Sequence, residues 1–399
     1  MSQVSLDSRL MQKDVNESSG FVVTVSALDW WLLASVAALL YVGLVIITSA
    51  SIDVADARSG NPFMYASRHG IFLCVALVAG IMAARMPVRV WYDYGWLLLF
   101  SSFFLLILVL MVGRQVNGSI RWIGLGPINF QPSELAKLFL VAYIAGYLVR
   151  RSDEVSESWW GFIKPLAVMF VAAFLLLMEP DFGATVVIIV AVFGMIFLSG
   201  AKLTKFGVLL MIAAVLGTLL VVFQPYRFQR VTSFADPWAD QYGSGYQLTQ
   251  ALIAFGRGEW TGVGLGNSVQ KLMYLPEAHT DFVFAILAEE FGLLGTVSVI
   301  LIFASLVYRG MKIGLRSEQA GKRFSAYLAY GISILIGFQA FINIGVNCGI
   351  LPTKGLTLPL VSYGGSSLIV SCMMIGVLVR IDIEQKMTHG RQPNAGEDE

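Results

Sequence analysis

The sequence predicts an all-α integral membrane protein with ten transmembrane helices. Composition is the first observation: 57% of the 399 residues are hydrophobic and 13% charged, where soluble domains carry about 25% charged residues. Mean hydropathy, at +0.73, is the second. The third is that the apolar residues gather in runs close to the ~20 residues a helix needs to cross a bilayer. A net charge of +1 gives no bulk electrostatic case for nucleic acid. The cysteines, Cys74, Cys348 and Cys372, lie in or beside apolar runs and form neither a disulfide framework nor a metal spacing.

Residues 1–27 read as a polar, disordered cytoplasmic tail holding both signs of charge. The first apolar run, 28–50, is too long for a signal-peptide core and lacks a small-residue cleavage pattern, so it is the first span. The others fall at 70–86, 94–113, 133–149, 165–178, 184–199, 206–223, 281–308, 324–346 and 364–381. Residues 28–381 thus form one membrane domain, and 382–399 a cytoplasmic tail. With the N-terminus inside, the tails and even-numbered connections hold 17 of the 27 Lys and Arg residues. That positive-inside bias puts both termini in the cytoplasm.

Every cytoplasmic connection is short, which leaves no room there for a soluble catalytic domain. Two outer segments are long. Residues 113–132 (GRQVNGSIRWIGLGPINFQP) mix Trp, Ile and Phe with Gly and Pro, as a segment lying in the membrane interface does. Residues 224–280, between the seventh and eighth spans, are the largest non-spanning part. They contain an amphipathic stretch, Tyr246 to Phe255, and then a Gly-rich run. The working surface is expected outside, at the membrane boundary.

A charge inside a spanning helix costs at least ~2.5–3.5 kcal/mol on insertion scales, so it needs a partner, a wet cavity or a task. Within the spans, the charges away from the extreme ends are Glu134, Lys137, Glu289 and Glu290, all in outer halves. Glu134 and Lys137 are spaced i,i+3 and share a face, behind Pro132 and Ser133, which open the helix. Two readings stand. One is an intrahelical ion pair that makes the segment insertable; the other is a Lys137 held by Glu134 to bind an anionic headgroup.

The turn Glu179 to Thr185 (EPDFGAT) joins two short spans, a pattern that marks binding sites in membrane proteins. There Asp181 either caps the next helix or holds a cation, a metal ion included. Asp281 has the same capping alternative, but it closes the longest outer loop. Glu289 and Glu290 follow it eight and nine residues on, ~12–13 Å along a helix axis. A carboxylate at the floor of an outer cavity can act as general base on a sugar hydroxyl. Glu277 and His279 lie nearby in sequence.

The run GEWTGVGLGNS (258–268) contains G-x-G-x-G but follows no strand, so it is read as a flexible loop folding over a ligand rather than a dinucleotide fingerprint. The stretch LPTKGLTLPLVSYGGSS (351–367) supplies Lys354 and a Gly/Ser-rich helix entry. Its N–H groups either receive phosphate or simply end a helix and pack closely.

Six blocks occur in order between residues 28 and 384: NGSIRWI, QPSELAKL, EPDFGAT, GYQLTQALIAFG, GVGLGNSVQKLMYLPEAHTDFVFAILAEEFG and LPTKGLTLPLVSYGGSS. Together they resemble the signature blocks of the SEDS family (shape, elongation, division and sporulation). EPDFG where the elongation branch tends to read QPDLG, and TKGLTLP for a more Pro/Val-rich stretch, resemble the division branch. The resemblance implies a ten-helix, GT-C-like fold and a peptidoglycan glycosyltransferase. Such an enzyme polymerises lipid II into a nascent glycan chain on the outer face of the bacterial inner membrane, at the septum. The implied partners are a class B penicillin-binding protein (an FtsI-like transpeptidase), other divisome proteins and membrane lipids.

By motif match, the resemblance makes Asp281 the catalytic carboxylate and Arg121, Glu134, Lys137 and Asp181 substrate-cavity residues. Glu277, Glu290 and Lys354 join the substrate-binding candidates. On this reading Asp281 deprotonates the 4-hydroxyl of an acceptor N-acetylglucosamine, which attacks the anomeric carbon of the growing chain with inversion. Lys137 and Arg121, with or without Mg²⁺ or Mn²⁺ bridging carboxylates, offset the charge growing on the departing polyprenyl diphosphate. The rival reading is a lipid II flippase, with the same charges and no general base. A third is a structural scaffold for the division machinery, and a fourth is the same activity in the elongation branch of the family.

Overall fold

Each of the ten apolar runs lies on a helix in the structure, a computed structural model that describes residues 28–116, 119–125, 128–223, 234, 236–243, 245–352 and 355–389. In hydrocarbon a backbone N–H or C=O finds no water, so long apolar runs satisfy their own backbones as helices. The first half of the chain gives α1 (Trp30–Ser59), α2 (Met64–Arg85), α3 (Val88–Asp93), α4 (Gly95–Val112), α5 (Pro132–Arg150), α6 (Ser152–Glu157) and α7 (Trp159–Met178). The second half gives α8 (Phe182–Leu198), α9 (Leu203–Val222), α10 (Tyr246–Gly258), α11 (Val283–Gln319), α12 (Arg323–Asn347) and α13 (Gly365–His389). Eight of them (α1, α2, α4, α5, α7, α11, α12 and α13) are long and apolar enough to cross a membrane. The apolar α8 has 17 residues and α9 has 20. The amphipathic stretch expected at Tyr246 to Phe255 is α10.

The expected N-terminal tail, 1–27, the last ten residues of the expected C-terminal tail, 382–399, and the candidate Lys354 lie outside the described residues. The last helix is longer than its apolar run: α13 continues to His389, past the end of the predicted span at 381. No helix breaker intervenes there, and Lys386 bonds to Asp382 at 2.6 Å one turn back.

The all-α expectation fails locally. Residues 113–132 contain an antiparallel sheet of β1 (Arg114–Val116), β2 (Ser119–Leu125) and β3 (Ile128–Phe130), in the order β1-β2-β3. Gln115 pairs with Ile120, and Gly124 with Asn129. β-branched and aromatic residues flank an Asn117-Gly118 dipeptide, the sequence signature of a two-residue hairpin. The sheet matters because β2 carries Arg121.

The centre of the bundle is α5, α12 and α13, whose apolar windows are 78%, 72% and 78% buried against 17% for α2. Glycines bring α2 onto α13. A methyl on Gly80 would stand 2.8 Å from the Cys372 carbonyl oxygen, and one on Gly376 would collide with the Gly80 carbonyl. Small residues permit such close backbone approach in membranes.

The helix α11 is broken at Gly292, where φ is 64° and ψ −161°. The break frees backbone groups that cannot stay unpaired in a membrane. The Glu289 and Glu290 carbonyls accept from the N–H groups of Val263 (3.0 Å) and Gly264 (3.1 Å). The N–H groups of Leu293 and Leu294 donate to the Glu259 (2.8 Å) and Trp260 (3.1 Å) carbonyls. A side chain at Gly292 would meet the Gly262 backbone, and its φ suits glycine. The run GEWTGVGLGNS is therefore no free flap: its first half is wedged into the break in α11.

Candidate active site

Asp281 does not cap α11. The cap position is Phe282 and no side chain bonds there. Instead the backbone of Asp281 is held by α12: its carbonyl accepts from Asn343 Nδ2 at 2.9 Å and Asn347 Nδ2 at 3.0 Å. Asn347 Oδ1 takes the Ala285 N–H at 3.1 Å, and Asn343 Nδ2 also reaches the Leu356 carbonyl at 2.5 Å. Two asparagines one turn apart thus fasten both the 281 and the 356 segments. The Asp281 carboxylate is half-buried and has no hydrogen-bond or ion-pair partner among the described residues. Burial, reinforced by the Glu277 and Asp181 charges and opposed by Arg121, pushes its pKa up to about 7. A carboxyl so placed is poised to accept a proton near neutral pH.

Arg121 reaches the same region from β2. Its Nη2 donates to the Pro180 carbonyl, and its Nη1 stands 3.9 Å from Asp181 Oδ1. Asp181 also caps α8, accepting the Ala184 N–H at 3.1 Å. Its Oδ2 receives Ser133 Oγ at 3.3 Å and Gln131 Nε2 at 3.4 Å. Both readings of Asp181 therefore apply: it caps a helix and it holds a cation, which is Arg121.

Lys137 is fully enclosed. Its Nζ donates to Glu134 Oε1 at 2.9 Å and Gln339 Oε1 at 2.6 Å. Gln339 Nε2 in turn donates to the Thr357 carbonyl at 3.1 Å. This geometry favours the ion-pair reading of Glu134 and Lys137, as a brace between α5, α12 and the loop after residue 355. Glu277 is exposed, with Thr280 Oγ1 donating to its Oε2 at 2.8 Å.

Glu290 stands in a separate cluster. Ser49 Oγ donates to its Oε1 at 2.5 Å, and Lys271 Nζ lies 3.6 Å away. Neighbouring Glu289 receives Arg257 at 3.0 Å, the N–H groups of Val269 and Gln270 at 3.1 and 3.2 Å, and the Ser268 hydroxyl. These two acids anchor the 257–271 segment to α11 and α1. Among the described residues, no three His, Cys, Asp or Glu side chains are placed together to hold a metal ion.

The residues missed from sequence are Gln339, Asn343 and Asn347, and Gly355, which faces Asp281. The first three recur every fourth residue along an apolar run, a polar stripe that periodicity exposes. Gly355 carries no comparable signal.

Fold and site together define a polytopic membrane protein with a cluster of ionisable residues where loops and a small sheet meet one end of the bundle. A protein-family profile, FTSW_RODA_SPOVE (cell cycle protein), matches residues 30–387, and the chain belongs to that family. A protein of Hahella chejuensis named "Probable peptidoglycan glycosyltransferase FtsW" is 58% identical over 359 residues, 90% of each chain. One of the same name from Pseudomonas fluorescens is 56% identical, covering 91% of this chain and 89% of its own. A solved chain from a peptidoglycan synthase complex that coordinates polymerization and crosslinking superposes with a TM-score of 0.75 at 30% identity, over 90% of this chain and 98% of that one. Rod shape determining protein RodA of Thermus thermophilus superposes at 0.67 and 29% identity, over 90% and 97%. The higher identity to FtsW proteins agrees with the division branch read from EPDFG and TKGLTLP.

Proposed function

We propose that this chain is a peptidoglycan glycosyltransferase that polymerises lipid II into β-1,4 glycan strands during septal wall synthesis. One observation carries the reading: Asp281 is an unpartnered carboxylate, fixed through its backbone by Asn343 and Asn347, with a pKa near 7 and Arg121 beside it. The names of relatives at 58% and 56% identity support the same activity.

In this mechanism Asp281 accepts the proton of the acceptor 4-hydroxyl. The freed oxygen attacks the anomeric carbon of the lipid-linked chain, its bond to the diphosphate breaks, and the α-linkage becomes β. Arg121, bound to one carbonyl and only loosely paired with Asp181, offers its guanidinium to the departing diphosphate. Lys137 and Glu134 brace α5 against α12. The site opens on the outer face of the inner membrane, with both termini in the cytoplasm. The related synthase complex supports a class B penicillin-binding protein as partner, crosslinking the strands this chain makes.

The test is polymerisation of lipid II by the purified full-length chain, with and without its class B partner, read as glycan length on a gel. Wild type is expected to make polymer. Asp281→Asn is expected to make none while still folding and binding lipid II. Equal polymer from both proteins removes Asp281 from the chemistry. No polymer from wild type under either condition leaves the flippase or scaffold.

A further inference from the structure

Glu179 ends α7 and begins the turn that presents Pro180 and Asp181 to Arg121. Its side chain is 0% exposed, and neither Oε1 nor Oε2 has a hydrogen-bond partner. An ionised carboxylate in that position would lose its hydration and gain nothing in return. The charged groups that face it are Asp181, on its own turn, and Arg121, from β2. Arg121 is already engaged with the Pro180 carbonyl and Asp181 and makes no ion pair with Glu179. The helices packed on α7 add little: α4 and α8 carry no charged residue, and on α5 Glu134 and Lys137 pair with each other. The acidic α6 meets the opposite end of α7.

We propose that Glu179 is a positioning residue held as a neutral carboxylic acid, and that its neutrality leaves the Arg121 charge available to an anionic substrate. The proposal rests on the glycosyltransferase reading above for the identity of that anion, a lipid diphosphate. Burial, reinforced by Asp181 and opposed by Arg121, pushes the Glu179 pKa up to about 9, so the acid is protonated at neutral pH. Arg121, Asp181 and ionised Asp281 then sum to a single negative charge. Ionising Glu179 adds a second, and like charge repels an incoming diphosphate. The proton stays on Glu179 throughout; it tunes the site without reaching the substrate.

Two measurements on the full-length protein separate this proposal from the reading it rests on. The first needs no substrate: infrared difference spectra, wild type minus Glu179→Gln, report the carbonyl stretch of a protonated carboxylic acid. That band is expected at pH 7 and lost as pH rises through about 9. Should Glu179→Gln fail to fold, the alkaline-minus-neutral spectrum of an Asp281→Asn protein carries the same band. The second is the pH dependence of KM for lipid II. In wild type KM rises by up to about tenfold per pH unit above the Glu179 pKa while kcat changes little. In Glu179→Gln, whose amide keeps the shape and neutrality of the acid, that rise is absent. A carboxylate signal at pH 7, or an alkaline KM rise that persists unchanged in Glu179→Gln, overturns the proposal. Wild-type protein that makes no polymer at any pH overturns the glycosyltransferase reading instead, and the infrared band still decides the state of Glu179.

Discussion

The backbone of Gly355 lies against the carboxylate of Asp281. A methyl group on Gly355 would stand 2.9 Å from Asp281 Oδ2 and 3.8 Å from Arg121 Nη1. The gap between base and cation thus depends on a residue with no side chain. Misplacing a reacting group by about 1 Å can cost ~10²-fold in rate. Gly355→Ala is therefore expected to slow polymerisation at least about tenfold, with thermal unfolding nearly unchanged. A wild-type rate in that variant would mean that Asp281 swings clear of the loop.

The acid side of the pH profile should belong to Asp281. A general base works only when ionised, and a pKa raised to about 7 leaves more of it protonated at any given acidic pH. We expect kcat/KM to fall about tenfold per pH unit below 7. Linkage gives a second sign. The folded state holds this proton more tightly than the unfolded chain, so its stabilising contribution is complete below the ordinary value of 3.8. It is lost as pH rises through about 7. Melting curves of Asp281→Asn should lack that component, and an identical pH dependence in both proteins would count against the raised pKa.

Asn343→Ala and Asn347→Ala remove donors from the Asp281 carbonyl. Each lost bond is worth about 0.5–1.5 kcal/mol net. The expected signature is a fall in kcat with KM for lipid II nearly constant, larger in the double variant than in either single one. A pure KM effect would place these asparagines in binding instead.

Lys137→Met strands a buried Glu134 charge and should cost about 3–5 kcal/mol in unfolding free energy. Glu134→Gln combined with Lys137→Met removes both charges and should recover most of that loss. Exchanging the two residues, Glu134→Lys with Lys137→Glu, is expected to restore folding and a substantial share of activity if they form a brace. Restored folding with no activity would assign Lys137 to the diphosphate.

Much of the architecture can be read from the chain because hydrophobic length is a one-dimensional property. Every apolar run from Leu28 to Ile381 became a helix. Local chemistry overrode the pattern in two places. The sheet that carries Arg121 was signalled by Asn117-Gly118 between β-formers, yet aromatic and Gly content disguised it as an interfacial segment. The break at Gly292 is invisible because a glycine in an apolar run is usually tolerated there. Charge was the better guide to the site: Asp281 and Asp181 do sense the same Arg121. Its limit shows at Glu290, which is near Asp281 in sequence but pairs with Lys271 and Ser49 instead. Which acids converge is decided by loop return paths, and spacing along one helix does not reveal them.

The interruption at Gly292 has a mechanical consequence. Glu289 and Glu290, before the break, are tied by backbone bonds to Val263 and Gly264, and Leu293 and Leu294, after it, to Glu259 and Trp260. A displacement of residues 259–264 is therefore felt by both halves of α11, which the inserted segment splints across the glycine. What makes the broken helix one mechanical unit is the segment wedged into it.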